Sequence, residues 1–224
     1  MEFDSPARSL GHLFKDRPQT AREEFWNALT SGVGALLALA GGAALLTKPT
    51  SPADTTAIFV YVACLIGLHA ISSAYHATQP SSTAKALWQK LDHCAILTLI
   101  AGTYTPFAAI GIGGWNSTAL LAMQWGTAAF GCILQFASPQ RFRKISTALY
   151  IFMGWGGLFF WQPLHDILPE GTITGMIAGG IAYTGGVAFY AAKRISFFHV
   201  TWHIFVLAGS TIHFLTIWQF LAAK

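Results

Sequence analysis

Charge is what this 224-residue chain has least of. Lys and Arg number 13 and Asp and Glu 9, so charged residues are 10% of the total, against about 25% in a soluble domain. Such a surface cannot be covered with polar groups in water, which excludes an ordinary soluble fold. Cysteine is scarce too: Cys64, Cys94 and Cys132 all fall in apolar stretches with no paired spacing. That excludes a disulfide framework and a Cys-x2-Cys metal site, and leaves them as small packing residues. The first 24 residues hold no apolar run, so no cleavable signal peptide is expected there.

What the chain has in abundance is apolar length. Hydrophobic residues make up 54% and the mean hydropathy is +0.50. Seven segments approach the ~20 residues that a bilayer core requires of a helix: 26–47, 55–77, 91–112, 118–137, 147–164, 171–192 and 197–220. The fifth is short and interrupted by Gly154, Gly156 and Gly157. The expected architecture is all-α, a bundle of seven transmembrane helices over residues 25–224, preceded by a polar segment, 1–24.

The few charges orient that bundle, because Lys and Arg in short loops stay on the cytoplasmic side. With the N-terminus inside, Arg8, Lys15, Arg17, Arg22, Lys85, Lys90, Arg141, Arg143, Lys144, Lys193 and Arg194 fall on the inner side. Only Lys48 and Lys224 fall outside. Eleven against two predicts a cytoplasmic N-terminus and an outer C-terminus. It also explains the pI of 9.1 as topology, with no nucleic-acid partner implied. The sequon Asn116-Ser117-Thr118 lies too near the membrane to carry weight.

This orientation places several polar residues at one depth. Ser72 and His76 end the second span, Asp92 and His93 open the third, and His199 and His203 occupy the first turns of the seventh. Residues four apart lie on one helix face, so His199 and His203 can grip a single ion, and Ser72 and His76 share a face. Three histidines with an open fourth position make a catalytic type of zinc site. The pattern His-x3-His alone is weak, since a lone helical histidine is commonly a packing residue and the glutamate of zincin helices is missing. Convergence of ionisable groups from three spans shifts the balance toward a functional site.

The remaining features read as structural. His69 lies about 10 Å deeper than His76, and His213 about 15 Å beyond His203, by helix rise; both are expected to bond between helices. His93 points about 100° away from Asp92, and His12 and His165 fall outside the spans. Gly175-x3-Gly179 and Gly185-Gly186 suit close helix packing, and Trp26, Trp88, Trp115 and Trp161 suit interfacial belts.

Four stretches, EEFWNALTSGVGALL at 23–37, SSAYHAT at 72–78, LDHCAILTLIAGTYTPF at 91–107 and HVTWHIFVLAGSTIHF at 199–214, together resemble the hemolysin III branch of the progestin and adipoQ receptor superfamily. The resemblance covers nearly the whole chain. It implies seven helices in a bacterial inner membrane, zinc on His76, His199 and His203, and Ser72 and Asp92 close to the metal-bound water. One departure is Thr30-Ser31-Gly32, where the family pattern often reads Thr-His-Gly; being outside the zinc set, it is expected to leave the site undisturbed. Superfamily likeness to alkaline ceramidases points to hydrolysis of lipid amides or esters, with membrane lipids as partners; in that reading Asp92 acts as general base and Ser72 bonds the water or the developing oxyanion, whereas Asp92 as a fourth zinc ligand would favour a structural site. A structural zinc clamp between the second and seventh spans, in a membrane-adjusting or membrane-perturbing protein, is the other reading, and a haem held by His76 and His199 or His203 the weakest.

Overall fold

The computed structural model describes residues 17–48, 51–80, 82–192 and 194–223. Most of the predicted polar segment, with Arg8, His12 and Lys15, lies outside them, as do Lys193 and Lys224. The described residues are all-helical, without strands.

α1 (Ala21–Leu45) starts four residues before the predicted boundary at 25. Thr20 caps it in a reciprocal capping box: its Oγ1 accepts from the Glu23 N–H while the Glu23 carboxylate accepts from the Thr20 N–H. Such a box satisfies two of the orphan amide donors at a helix start. α2 (Pro52–Ala77) is capped by Ser51 and has Pro52 in its first turn, where the missing N–H is no loss. α3 (Thr83–Pro106) is capped by Ser82. Pro106, which cannot donate to the ladder, marks its change into a π-helical turn, Phe107–Ile112. Gly113 and Gly114, at φ 65° and 58°, then reverse the chain in the left-handed region that glycine enters freely. α4 runs from Gly114 to Ala137, α7 from Glu170 to Ala191 and α8 from Phe198 to Ala222.

Among the described residues, six helices are long and apolar enough to cross a membrane: α1, α2, α3 with its π turn, α4, α7 and α8. The predicted fifth span is not one helix. α5 (Pro139–Gly154) stops at the first glycine of the interruption, a 3-10 turn covers Gly156–Phe160, and α6 (Trp161–Ile167) is seven residues long. Neighbours bind the backbone freed there. The Tyr104 hydroxyl donates to the Gly154 carbonyl at 2.7 Å and accepts from the Gly157 N–H at 3.1 Å, and Gln124 Nε2 donates to the Met153 carbonyl at 2.9 Å.

The outer face is apolar, with Leu36 69% and Ile133 68% exposed, a surface suited to lipid. Inside, Ile58, Tyr61, Leu97, Phe107, Leu120 and Ile217 are fully buried. The glycines of α7 admit α8 closely, as expected: a Cβ at Gly175 would overlap Thr216, and one at Gly179 would overlap His213. Gly34 of α1 does the same for His69 of α2. His69 Nε2 in turn lies 3.3 Å from Ser210 Oγ, and the Tyr183 hydroxyl 2.8 Å from the same oxygen. His69 thus bonds between helices as expected, whereas His213 packs against Gly179 and stacks on Tyr183 with its Nδ1 unpartnered. Gly34→Ala should force His69 off Ser210 and lower the thermal midpoint by the equivalent of about 1–3 kcal/mol, the usual range for overpacking. A melt in detergent measures it; an unchanged midpoint would show that His69 has room to move.

Candidate metal centre

Helix ends gather at one pole of the bundle. Glu24 of α1 meets His76 at the end of α2 and Lys85 at the start of α3. Glu23 meets Phe197, the residue before α8, and His93, ten residues past the first residue of α3, meets Gln135 near the end of α4 at 3.1 Å. The alternating run of the helices therefore brings the motif residues together although they lie more than 100 positions apart in sequence.

At that pole His76, His199 and His203 each offer a ring nitrogen within 4.8 Å of the others. His76 Nε2 and His203 Nε2 are 3.1 Å apart, close to the ~3.3 Å between two nitrogens on a tetrahedral ion with bonds of 2.0–2.1 Å. His199, one turn before His203, has its ring centre 4.9 Å from that of His203 and 5.2 Å from that of His76.

The outer nitrogens of two of the rings decide what the inner ones can do. His76 Nδ1 is 2.6 Å from Glu24 Oε2. An ionised carboxylate only accepts, so the ring proton sits on Nδ1 and Nε2 presents a bare lone pair. His203 Nδ1 is 3.1 Å from Ser31 Oγ, and when that hydroxyl accepts, the second Nε2 is bare too. In that pair of tautomers two lone pairs face each other at 3.1 Å, an arrangement that a cation between them would satisfy; with a proton on one Nε2 the same pair is a hydrogen bond. The donor set fits a metal ion, and imidazole nitrogen suits zinc among others.

Ser31 corrects the expectation that the departure at Thr30-Ser31-Gly32 leaves the site undisturbed. It touches His203 of the three-histidine cluster directly, because α1 passes beside α8 and points that position inward. Glu24 also went unread, its carboxylate being one of two adjacent glutamates at a span boundary. The available signal was spacing: Glu24 and Ser31 are seven apart, one helix face over two turns.

Ser72 and Asp92 line the same cavity as His199 and His203, with Tyr75, Gln89 and Tyr190 completing much of its wall. Ser72 is buried and Asp92 half-buried. A second, apolar cavity shares Leu68, Ile96, Trp202 and Val206 with the first.

Comparisons with known proteins show which family the chain belongs to. A family described as Haemolysin-III related matches residues 19–214. The chain belongs to the hemolysin III family. Hemolysin-3 of Bacillus cereus is 37% identical over 199 residues, 88% of this chain and 90% of that protein. The Hemolysin-3 homolog of Bacillus subtilis is 34% identical over 198 residues, 87% and 92% of the two chains. Human monocyte to macrophage differentiation factor is 24% identical over 212 residues, covering 90% and 86%, which carries the resemblance to the wider progestin and adipoQ receptor superfamily. No solved structure matches the chain. Family membership and the six apolar helices make this a multi-pass integral membrane protein.

Proposed function

We propose that this hemolysin III protein is a zinc-dependent hydrolase of lipid amides or esters, working at the inner face of the membrane. One observation carries the reading: three imidazoles converge, two of them, His199 and His203, line a cavity with Ser72 and Asp92, and that cavity abuts an apolar one. His76, His199 and His203 hold the ion. Zinc so held supplies a Lewis acid for a carbonyl and lowers the pKa of a water toward about 7. Asp92 accepts the proton from the attacking water as general base. The Ser72 hydroxyl donates to the oxygen that becomes negative as the carbonyl is attacked. The apolar cavity beside Trp202 and Val206 receives the acyl chain and keeps bulk water from the reacting atoms. Lipid cleavage is also a chemistry through which a protein whose relatives are called hemolysins would act on membranes.

The reading places the pole with Glu24, His76 and Lys85 on the cytoplasmic side, in line with the eleven cationic residues assigned there. It counts the interrupted segment 139–167 as the remaining crossing, giving seven. A C-terminal reporter active only in the cytoplasm should then stay silent, while one active only outside should report; the opposite result would reverse the orientation or change the count.

A structural clamp is the competing reading, since the ligands come from two helices, α2 and α8. Purified protein assayed for bound zinc and for fatty-acid release from a panel of lipid amides and esters separates the two. Zinc with turnover supports the hydrolase; zinc without turnover on every lipid supports the clamp.

A further inference from the structure

The helix that supplies no ligand touches the metal centre at more points than any role as a lipid-facing wall requires. Glu24 and Ser31 lie on one face of α1, two turns apart. The first takes Nδ1 of His76 at 2.6 Å and the second Nδ1 of His203 at 3.1 Å. Glu24 is itself fixed: its other oxygen accepts from Lys85 Nζ at 3.1 Å, and Lys85 donates as well to the Tyr75 carbonyl at 2.7 Å. The residue beside it, Glu23, is 1% exposed. It pairs with Arg17 and accepts from the Phe197 N–H at 2.8 Å. Phe197 is the residue from which α8 starts, and its φ of 63° is a left-handed conformation that is uncommon outside glycine.

We infer that α1 is the positioning helix of the metal centre: Glu24 and Ser31 set the ring orientation and tautomer of His76 and His203, and Glu23 sets the height at which α8 presents His199 and His203. This rests on the zinc reading above. An imidazole can flip and can carry its proton on either nitrogen, so a ligand histidine without an outer partner spends part of its time unable to bind. A carboxylate that only accepts removes both freedoms for His76 and makes its Nε2 a better donor to a cation. Ser31 removes the flip for His203. His199 gains its register from sharing α8 with His203. The three ligands are therefore ordered before an ion arrives, and the ordering comes from the first helix.

The test is zinc competition against a chelator of known affinity, on purified wild type, Glu24→Gln, Ser31→Ala and Ser31→Thr. Each protein is also stripped, melted, and reloaded with cobalt(II), whose visible absorption reports the coordination geometry. Glu24→Gln keeps size and packing but loses the charge, and should weaken zinc by about 10- to 100-fold, the range for a lost outer partner of a ligand histidine. Ser31→Ala should weaken it by less, and Ser31→Thr, which restores the hydroxyl, should recover it. The cobalt spectrum should change in Glu24→Gln while the stripped proteins melt close to stripped wild type, a combination that a merely structural role would not produce. If Glu24→Gln does not accumulate, Glu24→Asp is put through the same competition, with a smaller loss expected because the carboxylate is kept but withdrawn. Unchanged zinc affinity and an unchanged cobalt spectrum in the Glu24 and Ser31 variants would overturn the inference. Wild type that binds no zinc would instead overturn the metal reading itself, and this inference with it.

Discussion

His203→Ala should lose most of the bound zinc. It removes one of three ligand nitrogens, the one facing His76 Nε2 at 3.1 Å, and it leaves two imidazoles on different helices. Metal content of purified protein, by elemental analysis, is the direct measurement. A second readout is thermal: at free zinc a hundredfold above its dissociation constant, binding stabilises the folded chain by about 2.7 kcal/mol. Wild type should gain that increment on zinc addition and His203→Ala should not. The matched control is His213→Ala. His213 stacks on Tyr183 with ring centres 5.7 Å apart, about 15 Å from His203 along the same helix by its rise, so that variant should keep its zinc. Full zinc in His203→Ala would sink the metal assignment.

Asp92→Asn should separate chemistry from metal binding. As a general base, Asp92 can lose its charge with little change of shape, so zinc should remain while lipid hydrolysis falls by about 10²- to 10⁴-fold. If Asp92 were a fourth ligand, the same substitution would weaken zinc retention and thermal stability together, because metal binding is coupled to folding. Turnover of lipid amides and esters in detergent, with zinc measured on the same samples, distinguishes these outcomes. Wild type silent on the whole lipid panel, together with an Asn variant stripped of its metal, would replace the hydrolase with the clamp.

The histidine set was legible because three simple rules intersect on it. Residues four apart share a helix face, apolar length marks the spans, and charge bias fixes which helix ends meet. His76, His199 and His203 follow from those rules, and the structure brings their nitrogens together. Asp92 and Ser72 follow in the same way to the wall of one cavity. Glu24 and Ser31 did not, because their role depends on which face of α1 turns toward α2 and α8. Hydropathy cannot tell that face from the lipid-facing one when the helix is apolar nearly all round. The interrupted fifth segment was legible only as a run of glycines. What binds its backbone is Tyr104 of α3 and Gln124 of α4, and no local pattern links those residues to Gly154 or Met153. The first turn of α1 was missed by four residues, since Thr20 and Glu23 are polar and a hydropathy window discards them although they form the cap.

The interrupted segment has a consequence for how the chain is made. A span that is long and apolar can leave the insertion machinery by itself and find its neighbours afterwards. α5 is too short for that, opens with Arg141, Arg143 and Lys144, and ends in carbonyls whose partners belong to α3 and α4. Those two helices are synthesised before it, so Tyr104 and Gln124 are already in place when Met153 and Gly154 emerge. The later anchor is Trp155 Nε1, which donates to Thr184 Oγ1 of α7 at 3.1 Å. During translation the segment therefore settles against finished structure on one side and waits for α7 to close the other.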